Sequence, residues 1–413
     1  MGGESIPKIF PSANKLFTLS KYYPIGIMIY GNATFMGIPW ETIIKIYRNL
    51  LSKTSFSTLE EHANDFINFL DNNSLFLNAM QEHYSQNDIR SYLIYIIEDI
   101  AANLKEIEGE FDYDTANEVV SHVIDKHYNM WEAAELAPSI SEQLEETVLN
   151  EYNEIINNEI KYSFERYPLS DENLEKLKKL SVHCLLRFSD KIVHDGRSGV
   201  VIAGFGEDDI FPSLHAYYFE RVVKGRIIYK LSHKYNINFE TSAAVIPFAQ
   251  SEMVSTFMEG VDPRYKTVKD SYIAKIFDDY AGIVVSNMDR YDEEEKKSIE
   301  EKLTSIGKQI IADLNKKLED YRRTYHSNPV INVVAGLPKD ELAAMAESLV
   351  NLTSFKRRVT PESETVGGPI DVALISKGDG FIWIKRKHYF KSELNPQFHA
   401  NYYREDETDA QKE

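Results

Sequence analysis

Pro24-Ile25-Gly26-Ile27-Met28-Ile29-Tyr30-Gly31 is a short apolar run, rich in isoleucine and bounded by proline and glycine. Those features read as a β-strand. Pro39 then opens a helix, its fixed φ suiting a first turn. Trp40, Ile43, Ile44, Tyr47, Leu50 and Leu51 recur at i, i+3, i+4, i+7, i+10 and i+11, which makes one apolar stripe. Residues from about 5 to 38 are therefore strand-like, with a helix after them. Strand texture returns near 198, where Val200–Gly206 and Gly225–Lys230 frame a hairpin or meander. Asn238–Phe248 is expected to add another strand.

Between these blocks, residues 52 to 190 read as helical almost throughout, with runs at Leu59–Leu70, Ile89–Leu104, Tyr113–Leu136 and Ser141–Glu165. Ser141 and Ser170 stand where helix starts need a capping oxygen. Further helices are expected around Phe248–Glu259, Val268–Ser286 and Glu293–Tyr325, the acidic run from Asp292 to Glu295 suiting a helix N-terminus. A last helix, Pro338–Phe355, carries the stripe Leu342, Met345, Leu349 and Leu352. Asp371–Ser376 and Gly380–Lys385 then form a hairpin about the turn Lys377-Gly378-Asp379. Residues after about 391 are polar. The class is α+β, with sheet faces covered by helices.

The chain has 413 residues, 43% apolar and 27% charged, an ordinary globular balance. No apolar run reaches the roughly 18 residues of a membrane span, and the N-terminus lacks the pattern of a signal peptide. The net charge of −19 argues against nucleic acid, whose phosphates draw clustered Lys and Arg. The dense basic cluster Lys385-Arg386-Lys387-His388 reads as a solvated strand end. A single cysteine, Cys184, excludes an internal disulfide and suits a reducing cytoplasm; its apolar helical setting marks a core thiol. Gly204-Phe205-Gly206 reads as a strand-end turn. Glu207, Asp208 and Asp209, with His215, are carboxylates and a histidine that could hold a hard cation. No phosphate loop, zinc-protease or serine-hydrolase motif is present.

Asn14-Lys15-Leu16-Phe17, followed by Gly26–Gly31 and the helix from Pro39, resembles the early part of proteasome β-type and HslV-like subunits. There, a strand carrying a lysine leads to a strand that ends in glycine, and a long helix follows. Val200–Gly206, Val366–Val372 and Phe381–Ile384 resemble the second half of the same fold, and large bacterial proteasome-like proteins are the nearest likeness. The resemblance implies a four-layer α-β-β-α sandwich of the N-terminal-nucleophile class, built from residues 1–51 and 191–390. Residues 52–190 would be a helical insertion and 391–413 a polar tail.

In that class an N-terminal threonine attacks with its hydroxyl, and its own amine, of pKa about 7.7–8.0, is the base. A lysine ammonium lowers the pKa of that pair, and a glycine N–H at the end of the next strand stabilises the oxyanion. By resemblance Lys15 takes the lysine role and the Gly31 amide the oxyanion role. Peptide or protein substrates, ring-like homo-oligomers and no cofactor are implied; no nucleic-acid or membrane partner is expected. No threonine precedes Lys15, Thr18 and Thr34 follow it, and Ser363-Glu364-Thr365-Val366 stands where the family has its supporting aspartate and serine. Two explanations stay open: a native start upstream, with an N-terminal Thr, Ser or Cys, or a pseudo-subunit that keeps the fold without the chemistry. The sheet edge left unpaired by a missing hairpin favours the first. The expectation is a proteasome-like threonine peptidase or amidohydrolase subunit, inactive as written. Its rivals are a non-catalytic assembly or binding protein working through Tyr84, Tyr92, Tyr95, Tyr113 or Tyr128, and a metal-dependent hydrolase at Glu207–Asp209 and His215.

Overall fold

The structure is a computed structural model, and it describes residues 14–71, 73–107, 112–189, 196–360, 369–387, 390–397 and 400. The segment Ser363–Gly368 and the end of the tail lie outside the described residues. Strands β1 (Leu16–Thr18) and β2 (Ile25–Gly31) are followed by the short ribbon β3 (Thr34–Phe35) and β4 (Ile38–Pro39). Helices α1 (Trp40–Leu51), α2 (Leu59–Leu70), α3 (Asn78–Lys105) and α4 (Tyr113–Glu132) come next. Strand β5 (Glu135–Leu136) precedes α5 (Glu142–Glu151), α6 (Asn153–Ser163) and α7 (Asp171–Leu186), and β5 pairs with β6 (Arg187–Phe188). The meander β7 (Ser198–Gly204), β8 (Ser213–Val223) and β9 (Arg226–Asn236) leads to α8 (Glu252–Glu259), α9 (Pro263–Ser286) and α10 (Glu293–Arg322). One π-helical turn, Arg323–Ser327, joins α10 to α11 (Asn328–Val334), and α12 (Lys339–Val359), β10 (Val372–Ser376) and β11 (Gly380–Lys385) complete the order.

The main sheet is antiparallel in the order β1-β2-β7-β8-β9. Pleating sends Ile25, Ile27 and Ile29 to one face, beside Val200, Ile202, Tyr217 and Phe219 of the neighbouring strands. Helix α1 lays Trp40, Ile43, Ile44, Tyr47 and Leu51 on this face, whereas Leu50 of the predicted stripe stays exposed. Helix α2 adds Phe66 and Leu70 to the same core, so it packs with the sheet. Thr58 and Glu61 close a capping box at its start. Helices α3 to α7 share a second core around Trp131, Ile96 and Leu180. Ser141 and Ser170 cap α5 and α7 as their positions predict. The expected single helix Ser141–Glu165 breaks at Tyr152, whose ψ of 5° ends one helix and starts the next.

The opposite sheet face receives the tip of the β10–β11 hairpin. A Cβ on Gly26 would lie 2.8 Å from the Phe381 ring and 2.9 Å from Ile375, so the bare glycine admits the tip. Lys377 in that tip donates to the carbonyls of Gly206, Glu207 and Asp209 at 3.0, 2.6 and 2.6 Å. No strand forms over 238–248. The Asn238 Oδ1 accepts from the Glu240 and Thr241 amides, both at 2.8 Å, and this Asx turn breaks the extended run.

The chain divides into two compact units. Among the described residues, one holds 14–335 with 375–381, and the other holds those of 336–374 and from 382 on. In the second unit Lys385 Nζ pairs with Glu347 at 2.6 Å, tying β11 to α12, and the Lys387 amide donates to Asp371 Oδ1 at 2.7 Å. Among the described residues no helix is long and apolar enough to cross a membrane.

Candidate functional site

Lys15 lies immediately before β1, on the outer edge of the sheet, and its carbonyl accepts the Ile29 N–H at 2.7 Å. That bond places Lys15 opposite Ile29, two residues before Gly31 at the end of β2. Strand spacing and rise then put the Lys15 and Gly31 Cα atoms roughly 8 Å apart. Alternation along the antiparallel ladder turns the Gly31 N–H to the same side of β2 as that of Ile29, toward β1. The Lys15 side chain is exposed. Gly31 has φ +74°, and a Cβ there would stand 2.8 Å from the Arg197 carbonyl, so no other residue fits without strain. The topology thus gathers both predicted residues at one corner.

The nearby hydroxyls are already committed. Thr18 Oγ1 donates to the Ser20 carbonyl at 2.6 Å, and Thr34 Oγ1 to Asn32 Oδ1 at 3.1 Å. Ser198, opposite Gly31, is buried and donates to the Asn32 carbonyl at 3.1 Å. None faces a base that would raise its nucleophilicity in the sense required for attack.

Beside Gly31 lies a buried ionic cluster that the sequence reading missed. Arg197 donates from Nε and Nη2 to Glu220 Oε1 at 2.9 and 2.6 Å, and from Nη2 to the Ser189 carbonyl at 3.2 Å. Its guanidinium carbon sits 5.2 Å from the Phe188 ring centre and 5.4 Å from that of Tyr218. Arg221 pairs with Asp88 at 2.7 Å and with Glu220 Oε2 at 3.3 Å, and donates to the Cys184 carbonyl. A register shift between Phe219 and Arg221 makes Glu220 a bulge, which lets two consecutive charged residues both turn inward. Burial pushes the Glu220 carboxyl above its usual range, against the pull of Arg221 and Arg197. Burial also opposes the Arg221 charge, but Asp88 and Glu220 outweigh it. The signal was present: Glu220-Arg221 interrupts an otherwise apolar stretch of β8. Tyr30, next to Gly31, has its phenol pKa raised by burial and by Tyr218.

Two carboxylates of the acidic loop bond to the protein itself. Asp209 Oδ2 accepts the Gly206 and Leu59 amides at 2.7 and 2.9 Å, and Glu207 Oε2 accepts the Ser55 hydroxyl at 2.7 Å. His215, on β8, is buried, its pKa lowered first by burial and then by Lys234. Among the described residues no group of three His, Cys, Asp or Glu is placed to hold a metal ion. Of the aromatics singled out between residues 52 and 190, Tyr92 is buried, Tyr84 and Tyr128 are half-buried, and Tyr95 and Tyr113 are exposed. Cys184 is fully buried and its thiol is pushed up to about 12, which leaves it a core residue. A cavity of about 550 Å³ lies between α9 and α10, lined by Tyr265, Lys269, Leu318 and Arg322, away from the Lys15–Gly31 corner. Compared with protein-family models, curated proteins and solved structures, the chain matches none.

Proposed function

We propose that this chain is a proteasome-like subunit of the N-terminal-nucleophile class, acting on peptides or proteins. Lys15 and Gly31 are the part of the catalytic corner that the sequence carries. One observation carries the reading: Lys15 and the Gly31 N–H sit on the same side of β2, at adjacent strand ends roughly 8 Å apart. An ammonium there lowers the pKa of a hydroxyl–amine pair between the two positions, and the N–H meets the developing oxyanion. The αββα sandwich is part of the same proposal. Its support is the layering of α1 and α2 on one face of the five-stranded sheet and of a β-hairpin tip on the other.

The test is covalent labelling of the protein from its native source with a peptide epoxyketone, an electrophile that needs an N-terminal hydroxyl and amine together. Labelling that is lost in Lys15→Ala, with the fold intact, supports the proposal. Labelling of any internal residue, or none, removes it. A second reading, a non-catalytic assembly protein of the same fold, is favoured by the exposed apolar face of α9 and α10.

A further inference from the structure

Helices α9 and α10 run for 24 and 30 residues and pack on each other through a short turn, yet they bury only Ala281, Val285 and Gly307. Two helices alone cannot enclose a core, and the apolar residues left outside are ordered. On α9 Tyr265, Val268, Tyr272, Ile276, Tyr280 and Ile283 are exposed, spaced by three or four. On α10 Ile306, Ile310, Leu314, Leu318 and Tyr321 repeat that spacing, with Ile276 63% and Ile310 47% exposed. At about 100° per residue, measured from the buried Ala281 and Gly307, both stripes fall on the same side of the antiparallel pair. The result is one continuous apolar face roughly 36 Å long and about 20 Å wide. That is some 700 Å² per copy, close to the roughly 800 Å² per partner of a standard stable interface.

Charge selects the occupant. The base of the hairpin, residues 262–275 with 308–323, carries nine Lys and Arg against five Asp and Glu. The tip, residues 278–302, carries nine Asp and Glu against four Lys and Arg. A second copy laid face to face and antiparallel sets each basic base on an acidic tip, twice over by symmetry, whereas a parallel copy sets like on like. We propose that the α9–α10 face docks the same face of a second copy of this chain, antiparallel, as an intermolecular four-helix bundle. The proposal is independent of the Lys15–Gly31 chemistry and gives the expected homo-oligomer a specific surface.

The test is sedimentation equilibrium of the full chain across a concentration series, with helicity checked by circular dichroism. The native chain should sediment at twice 47.6 kDa. Ile276→Asp with Ile310→Asp, at positions exposed in the single chain, should leave helicity unchanged and weaken association about 30-fold or more, as loss of an interface hot spot does. Lys316→Glu with Lys317→Glu should weaken it too, and adding Glu294→Lys with Glu295→Lys to that chain should restore it. A native chain that is monomeric throughout overturns the proposal, as does association indifferent to the stripe variants. A tip-to-tip cross-link through Asn287→Cys overturns the antiparallel arrangement.

Discussion

Acid should loosen this fold well before its carboxylates titrate. His62, His127, His183 and His215 are all buried. Each has its pKa lowered from 6.5, with burial as the first cause. His62 shows why: its Nε2 accepts the Phe56 amide at 3.3 Å, a bond that requires the neutral ring. His127 and His183 face Asp99 and Glu145 at 3.1 and 2.9 Å, but those carboxylates do not outweigh burial. The sign follows from linkage. A depressed folded pKa means that the unfolded chain takes up the proton first. Stability present above about pH 6.5 is then lost as the pH falls through the folded values. Glu220 runs the other way: its raised pKa gives stability that is full below about pH 4.5 and lost as the pH rises through the folded value. Each group contributes at most about 1.4 kcal/mol per pH unit. Four against one leaves a net loss of up to about 4 kcal/mol per unit between about pH 6.5 and 4.5, from a total of about 5–15 kcal/mol. Asp99 and Glu159, whose pKa values are lowered by Lys126 and Arg90, add to the loss only below this window. Urea denaturation followed by tryptophan fluorescence over a pH series measures the slope. His62→Gln, which keeps an acceptor for Phe56, should reduce it by one group's share. Stability that is flat or rising as the pH falls through this window would refute the reasoning, as would an NMR titration of His62 near 6.5.

Three further outcomes are expected. Glu220→Ala removes the carboxylate that pairs with both Arg197 and Arg221, and should cost about 3–5 kcal/mol in denaturation, the usual penalty for breaking a buried ion pair. Gly31→Ala forces a Cβ into left-handed backbone and toward the Arg197 carbonyl, so it should lower stability by at least about 1 kcal/mol. Cys184 should resist iodoacetamide in the folded protein and react fully in denaturant; rapid native reaction would contradict its burial.

What the sequence disclosed was local. The Ile25–Tyr30 strand, the α1 stripe and the caps at Ser141 and Ser170 follow from periodicity and from orphan amides seeking acceptors. That Lys15 and Gly31 lie near one sheet corner follows from strand, turn and strand falling within seventeen residues. What escaped was long-range or competitive. The Arg197–Glu220–Arg221–Asp88 cluster joins residues from three separate segments, and the bulge at Glu220 defeats the strict alternation that marks a buried strand position. The strand expected over 238–248 lost to the Asn238 side chain, which satisfied amides locally before any neighbour could. Leu50 shows the limit of a stripe: at about 100° per residue it sits roughly 80° off the Trp40–Tyr47–Leu51 line and stays exposed, while Leu51 beside it is buried.

The most direct test of the Lys15–Gly31 corner is the N-terminal sequence and intact mass of the protein from its native source. The proposed chemistry predicts a mature N-terminus at Thr, Ser or Cys ahead of Lys15. A native N-terminus at Met1 or Gly2, with no such residue, would contradict the peptidase.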